Sequence, residues 1–138
     1  MTEKFYFDTS IWLDFLENRD EPNFSKGMWA KKLIKKIIKE GNRILFSDNN
    51  FLELINNGYL EFEIEEFLST LKPIIIPIEA TEKEIGKAKD LAQKRDVPKR
   101  DALHALIARD NNSTLITLDN HFRKLTDITF PHSPKKFI

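Results

Sequence analysis

The chain has 138 residues, with Lys plus Arg equal to Asp plus Glu at 22 each and 41% hydrophobic residues. That composition suits one folded domain over residues 1–138 and excludes disorder and a global positive field, so a nucleic-acid site has to be a local patch. There is no cysteine, which excludes disulfide frameworks, thiolate metal sites and cysteine nucleophiles and suits a reducing cytoplasm.

No apolar run approaches the roughly 20 residues that span a bilayer, and the N-terminus carries no signal-peptide h-region. A cytoplasmic protein without a membrane role is the expectation.

Residues 4–8 (KFYFD) read as a strand and 9–18 as a helix with Ile11, Leu13 and Leu16 among its apolar positions. A loop at 19–24 leads to a helix at 25–40. There Leu33, Ile34, Ile37 and Ile38 form a helical stripe, five lysines from Lys31 to Lys39 cover the rest, and Gly41 stops the run. Residues 43–46 read as the second strand. Ser47 or Asp48 can cap the helix at 49–57, which ends at Gly58, and 59–71 reads as another helix.

The continuous apolar run at 73–78 (PIIIPI) has the look of a central parallel strand. Thr81 and Glu84 make a capping box opening a helix that ends near residue 95, and Pro98 opens one running to Asn111. Residues 114–118 (TLITL) read as a strand, 120–125 as a helical turn and 127–130 as a final strand. The alternation predicts an α/β protein: a parallel sheet of four to five strands with helices on both faces.

Parallel sheets carry their sites at the carboxyl ends of the strands. Asp8 ends the first strand, Asp48 and then Glu53 follow the second, Asp119 ends the strand at 114–118, and Asp101 lies in the first turn of a helix facing the same edge. Taken singly, Asp8 and Asp119 are favoured helix caps and Asp101 suits a helix dipole. Glu53 sits among Asn49, Asn50, Asn56 and Asn57, a stripe that water could solvate. Asp101, however, begins an almost wholly apolar stretch, ALHALIA, where an acid is costly unless paired or metal-bound.

Together, the acids would repel one another and raise each other's pKa. A divalent cation relieves that cost, and all-oxygen ligands suit Mg²⁺ or Mn²⁺. A water activated by such an ion can attack a phosphodiester. His104 reads as a satisfied packing residue, His121 as structural or substrate-positioning, and His132 as exposed.

The stretches FYFDTSIWLDFLE, FSDNNFLELI, PKRDALHALIARDNNSTLITLD and HFRKL resemble, in order and over essentially the whole chain, the PIN-domain ribonucleases common among VapC-type toxins. The resemblance implies an α/β/α sandwich that hydrolyses RNA with Mg²⁺ or Mn²⁺. Carried residue by residue, it makes Asp8, Glu53, Asp101 and Asp119 catalytic metal ligands, and Thr9 and Thr117 hydroxyls that orient carboxylates or a bound water. It implies a homodimer and, for a toxin, an antitoxin protein. Where many relatives carry another acid, two residues after the aspartate of Thr117-x-Asp119, this chain has His121. That puts a second metal site in doubt, though not the first.

Lys94, Arg95, Lys99 and Arg100 precede Asp101 and are candidates for RNA backbone contacts, with a solvated charge run as the alternative. Trp12, Phe15, Trp29 and the lysine face of the two N-terminal helices could receive a partner, the alternative being that the aromatics are core. Rival acid-cluster folds fit less well. A dehalogenase-like phosphatase needs Asp-x-Asp where this chain has Asp8-Thr9-Ser10, and a receiver domain needs acids ahead of the first strand's end and a late lysine. An RNA-processing PIN nuclease outside any toxin system and a non-catalytic PIN-like binding module stay open.

Overall fold

The computed structural model describes residues 2–138. Four parallel strands, β1 (Lys4–Phe7), β2 (Arg43–Ser47), β3 (Ile75–Ile78) and β4 (Thr114–Ile116), stand in the order β3-β2-β1-β4. Six α-helices connect them: α1 (Thr9–Glu17), α2 (Lys26–Lys39), α3 (Asp48–Asn56), α4 (Glu61–Thr70), α5 (Glu82–Arg95) and α6 (Lys99–Asp110).

The pleat of the strands divides the core. Successive strand side chains point to opposite faces. Phe5, Phe7, Ile44 and Phe46 therefore pack with Trp12, Leu33, Ile37 and Ile64 on one face. Tyr6, Leu45 and Leu115 pack with Ala88, Leu91, Ala105 and Leu106 of α5 and α6 on the other. The result is a three-layer α/β/α sandwich. Among the described residues, no helix is long and apolar enough to cross a membrane.

The helix termini follow local chemistry. Ser47, not Asp48, caps α3: its hydroxyl accepts from the Asn50 backbone N–H, and the Asn50 side chain returns a bond to the Ser47 N–H. Thr81 and Glu84 form the expected capping box on α5. Gly41 takes a φ of 71° after α2, a conformation glycine adopts without a Cβ penalty.

Two sequence expectations need correction. The run at 73–78 is an edge strand, not a central one: Lys72–Ile74 form a 3-10 turn and only Ile75–Ile78 pair, on one side, with β2. Pro77 has no N–H to give a second neighbour, which is why proline sits on edges. Residues 127–130 form no strand. The outer edge of β4 is met instead by His132, which exchanges backbone hydrogen bonds of 2.9 Å with Leu115 and Thr117. Of the two readings left open for the N-terminal aromatics, Trp12 takes the core one. It is fully buried against Phe7, Phe46 and Phe67, while Trp29 is half-buried beside Phe24 and Lys135.

The sheet order positions the site. The chain runs outward from β1 to β3 and then returns to the far side of β1 as β4, so the connections leaving β1 and β4 diverge. Open α/β sheets form their clefts at such a point, beyond the carboxyl ends of the strands.

Candidate metal centre

Asp8 is the first residue beyond β1 and the N-cap of α1. Its Oδ1 accepts the Ile11 backbone N–H at 3.2 Å and the Ser10 hydroxyl at 2.7 Å, and its Oδ2 accepts the Thr117 hydroxyl at 2.7 Å. Capping and facing the cleft are thus one geometry. The residue is 3% exposed. Burial pushes its carboxyl up to about 6, against the opposing pull of Thr117, His104 and Ser10.

Glu53 projects from α3 into the same cleft rather than into solvent. The Thr9 hydroxyl donates to its Oε1 at 3.0 Å, His104 Nε2 meets the same oxygen, and Arg100 Nε stands 3.4 Å from Oε2. Burial alone would raise this carboxyl. The hydrogen bond and charge of His104, with Thr9 and Arg100, outweigh it and hold Glu53 below the usual carboxylate range.

Behind Glu53 lies a buried row of hydroxyls and nitrogens. The Tyr6 hydroxyl stands 2.7 Å from Ser47 Oγ and 2.6 Å from His104 Nδ1. Burial holds the Tyr6 phenol well above its ordinary value, so it keeps its proton. His104 Nε2 in turn meets Glu53, so the row ends on that carboxylate. From the other side, Asn50 Nδ2 donates to Thr9 Oγ1 at 3.0 Å, leaving the Thr9 proton for Glu53.

Asp101 enters from the first turn of α6 and Asp119 from the turn beyond β4, where it caps the 3-10 turn Asn120–Leu125. His121 Nδ1 stands 3.0 Å from Asp101 Oδ2 and 3.2 Å from Asp119 Oδ1. The His121 backbone N–H also donates to Asp119 Oδ1 at 2.9 Å. Burial, and then the neighbouring Asp119 charge, raise the Asp101 carboxyl above its ordinary value. Thr117 ties the two sides together, since its hydroxyl accepts from the Asp119 N–H at 3.0 Å while donating to Asp8.

All four acids line one cavity of about 350 Å³, which Thr9, Asn56, Asn57, Arg100 and His104 also border. The donor set is oxygen-rich and anionic, and among the described residues no hydrogen-bond donor reaches Asp101 Oδ1 although Asp101 is only 6% exposed. Those residues fit a hard divalent cation.

Of the four candidate cations, Arg100 alone borders the cavity. Arg95 is committed elsewhere, to Asp127 at 2.5 and 2.9 Å and to the Lys124 carbonyl. Lys94 and Lys99 are exposed and lie outside the lining. Sequence reasoning missed Tyr6 and Asn50 and reduced His104 to packing. One signal was available: alternation in β1 turns Tyr6 away from Phe5 and Phe7, and a buried tyrosine hydroxyl needs a partner on that face.

The model of the PIN domain family matches residues 5–128. This chain belongs to the PIN domain family. Among solved structures, this PIN domain is similar to VapBC-1 from nontypeable Haemophilus influenzae, at 21% identity and a TM-score of 0.66, over 96% of this chain and 98% of that one. It is similar to a toxin–antitoxin complex from Klebsiella pneumoniae, at 18% identity and a TM-score of 0.61, over 94% and 97%. It is also similar to FitAcB from Neisseria gonorrhoeae, at 18% identity and a TM-score of 0.61, over 95% and 98%. At these identities the likeness is one of fold. None of the curated proteins compared matches the chain.

Proposed function

We propose that this PIN domain is a metal-dependent endoribonuclease, a single nuclease domain over residues 1–138 that acts in the cytoplasm as the toxin of a toxin–antitoxin pair. The observation that carries the reading is the convergence of Asp8, Glu53, Asp101 and Asp119 on one cavity. PIN domains are generally nucleases, which supports hydrolase chemistry.

When bound, Mg²⁺ or Mn²⁺ would neutralise the carboxylates, polarise the phosphoryl group and activate water. The four acids would hold it. Ser10, Ile11 and Thr117 fix the Asp8 carboxylate, and Thr9 and His104 fix that of Glu53, so both present their remaining lone pairs without reorganising. Arg100, charged and exposed at the rim, offers a bidentate donor to a substrate phosphate.

One structure similar in fold is named a toxin–antitoxin complex and another VapBC-1, which supports an antitoxin protein as partner; RNA as the substrate and a homodimer complete the proposal. The test is cleavage of total RNA with Mn²⁺, with Mg²⁺ and with EDTA. Cleavage with an ion and none in EDTA is expected. Full-rate cleavage in EDTA, or no cleavage by protein that binds Mn²⁺, would reject the enzyme reading. Unchanged growth of a host expressing active nuclease would reject the toxin reading alone.

A further inference from the structure

We propose that His121 is a metal ligand through Nδ1, making Asp101, Asp119 and His121 a mixed oxygen–nitrogen site that takes a transition-metal ion such as Mn²⁺ or Co²⁺ in preference to Mg²⁺. The inference rests on the metal-dependent reading of the cavity and adds to it a ligand that is not a carboxylate.

The geometry comes first. One donor atom from each of the three residues lies within 4.8 Å of the other two. The separations of 3.0 and 3.2 Å from Nδ1 to the two carboxylates match the edge between neighbouring ligands of an ion with bonds of about 2.1 Å, which is about 3 Å. An ion can replace the bridging proton with little movement of the ligands.

Burial adds an independent indication. Asp101 is 6% exposed, borders the cavity, and has Oδ1 without a donor among the described residues. Its one side-chain hydrogen bond is to His121. Asp101 Oδ1 opens on the cavity and is free to meet an ion while Oδ2 holds His121. His121, by contrast, has half of its side chain in solvent. It nevertheless turns toward two acids, with its backbone pinned by Asp119 Oδ1.

The chemistry then sets the preference. Imidazole is a softer donor than carboxylate and suits first-row transition metals, whereas Mg²⁺ demands hard oxygen ligands and dehydrates reluctantly. Replacing an oxygen ligand by Nδ1 therefore favours Mn²⁺ and, further along the series, Co²⁺.

The test is calorimetric titration of the full chain with Mn²⁺, Co²⁺ and Mg²⁺, and of His121→Asp and His121→Ala, together with electron spin-echo spectroscopy of the Mn²⁺ form. The wild type is expected to bind Co²⁺ and Mn²⁺ more tightly than Mg²⁺ and to show nitrogen coupling to Mn²⁺. His121→Asp should narrow the preference over Mg²⁺ by roughly tenfold or more and abolish the coupling. His121→Ala should weaken Co²⁺ binding more than Mg²⁺ binding. Nitrogen coupling that survives in His121→Asp, or metal affinities in the wild type that the substitutions leave unchanged, would overturn the ligand assignment while leaving a carboxylate site intact. Failure of the wild type to bind any of the three ions would overturn the metal reading itself.

Discussion

Asp8 and Asp101 are both buried aspartates bordering one cavity, yet they are held in opposite ways. Asp8 has donors on both oxygens, all supplied by residues locked in secondary structure or in the core. Asp101 has one, from the half-exposed His121, and its other oxygen has no donor among the described residues. Glu53 belongs with Asp8, and Asp119, a third exposed, belongs with Asp101. One side of the cavity is bonded into the fold, and the other carries a carboxylate held by a single side-chain hydrogen bond. A carboxylate fully bonded to the core presents a fixed lone pair, whereas one with a single half-exposed partner can exchange it for an ion.

The sharpest way to break the contrast is Asp101→Asn. Removing this charge should lower RNA cleavage by about 10²–10³-fold, the loss typical of one group stabilising developing charge, with the far-ultraviolet circular dichroism unchanged. A cleavage rate within a few-fold of wild type would show the His121 side to be dispensable. On the fixed side, Thr117→Val removes the 2.7 Å donor to Asp8 and the link to Asp119. Metal affinity or activity should fall by about 10–100-fold, measured by calorimetry and initial rates. An effect as large as that of Asp101→Asn, or none, would erase the distinction between ligand and support.

The Asp8 carboxyl, raised to about 6 by burial, makes a further prediction for the metal-free protein. The native state binds a proton that the unfolded chain, with a pKa of about 4, has already released. Stability should therefore fall as pH rises from about 4 to 6 and level off above it. Asp8→Asn should stabilise metal-free protein at pH 7 by on the order of 2 kcal/mol, with the gain fading toward pH 4. Denaturant titrations in EDTA at the two pH values check it. A gain that is the same at both would contradict the shift.

The smallest effects separate the cations. Arg100→Ala should raise KM for RNA several-fold and reduce the salt dependence by about one phosphate contact. Arg95→Ala removes a surface pair with Asp127 and should leave stability nearly unchanged without moving KM. Equal effects of the two substitutions on KM would return the basic run to a general attraction.

How much of this was legible in the sequence follows from where each signal resides. Caps and helix stops are local, so the Thr81–Glu84 box and the ends of α2 and α5 read directly from the chain. Asp8, Asp101 and Asp119 could be placed on one edge because each sits at a strand or helix junction that the parallel topology brings together, whereas Glu53 lies inside α3 and reaches the same cavity from its side. Position within the sheet is not local: residues 73–78 looked central because they are apolar, although Pro77 already argued for an edge. The stripe of asparagines around Glu53 looked solvated because the partners of that face, Thr9, Arg100 and His104, come from distant parts of the chain. Of that stripe Asn50 is fully buried, while Asn56 and Asn57 border the cavity. His121 read as the loss of an acid, because its approach to Asp101 comes from the fold and not from the local sequence.

The central claim, that the fixed and the open sides form one catalytic metal centre, is tested most directly by Asp8→Asn in a Mn²⁺-dependent RNA cleavage assay. The variant keeps an acceptor for the α1 cap and should fold, and the account predicts that it loses cleavage altogether. A folded Asp8→Asn protein that cleaves RNA at the full wild-type rate would contradict it.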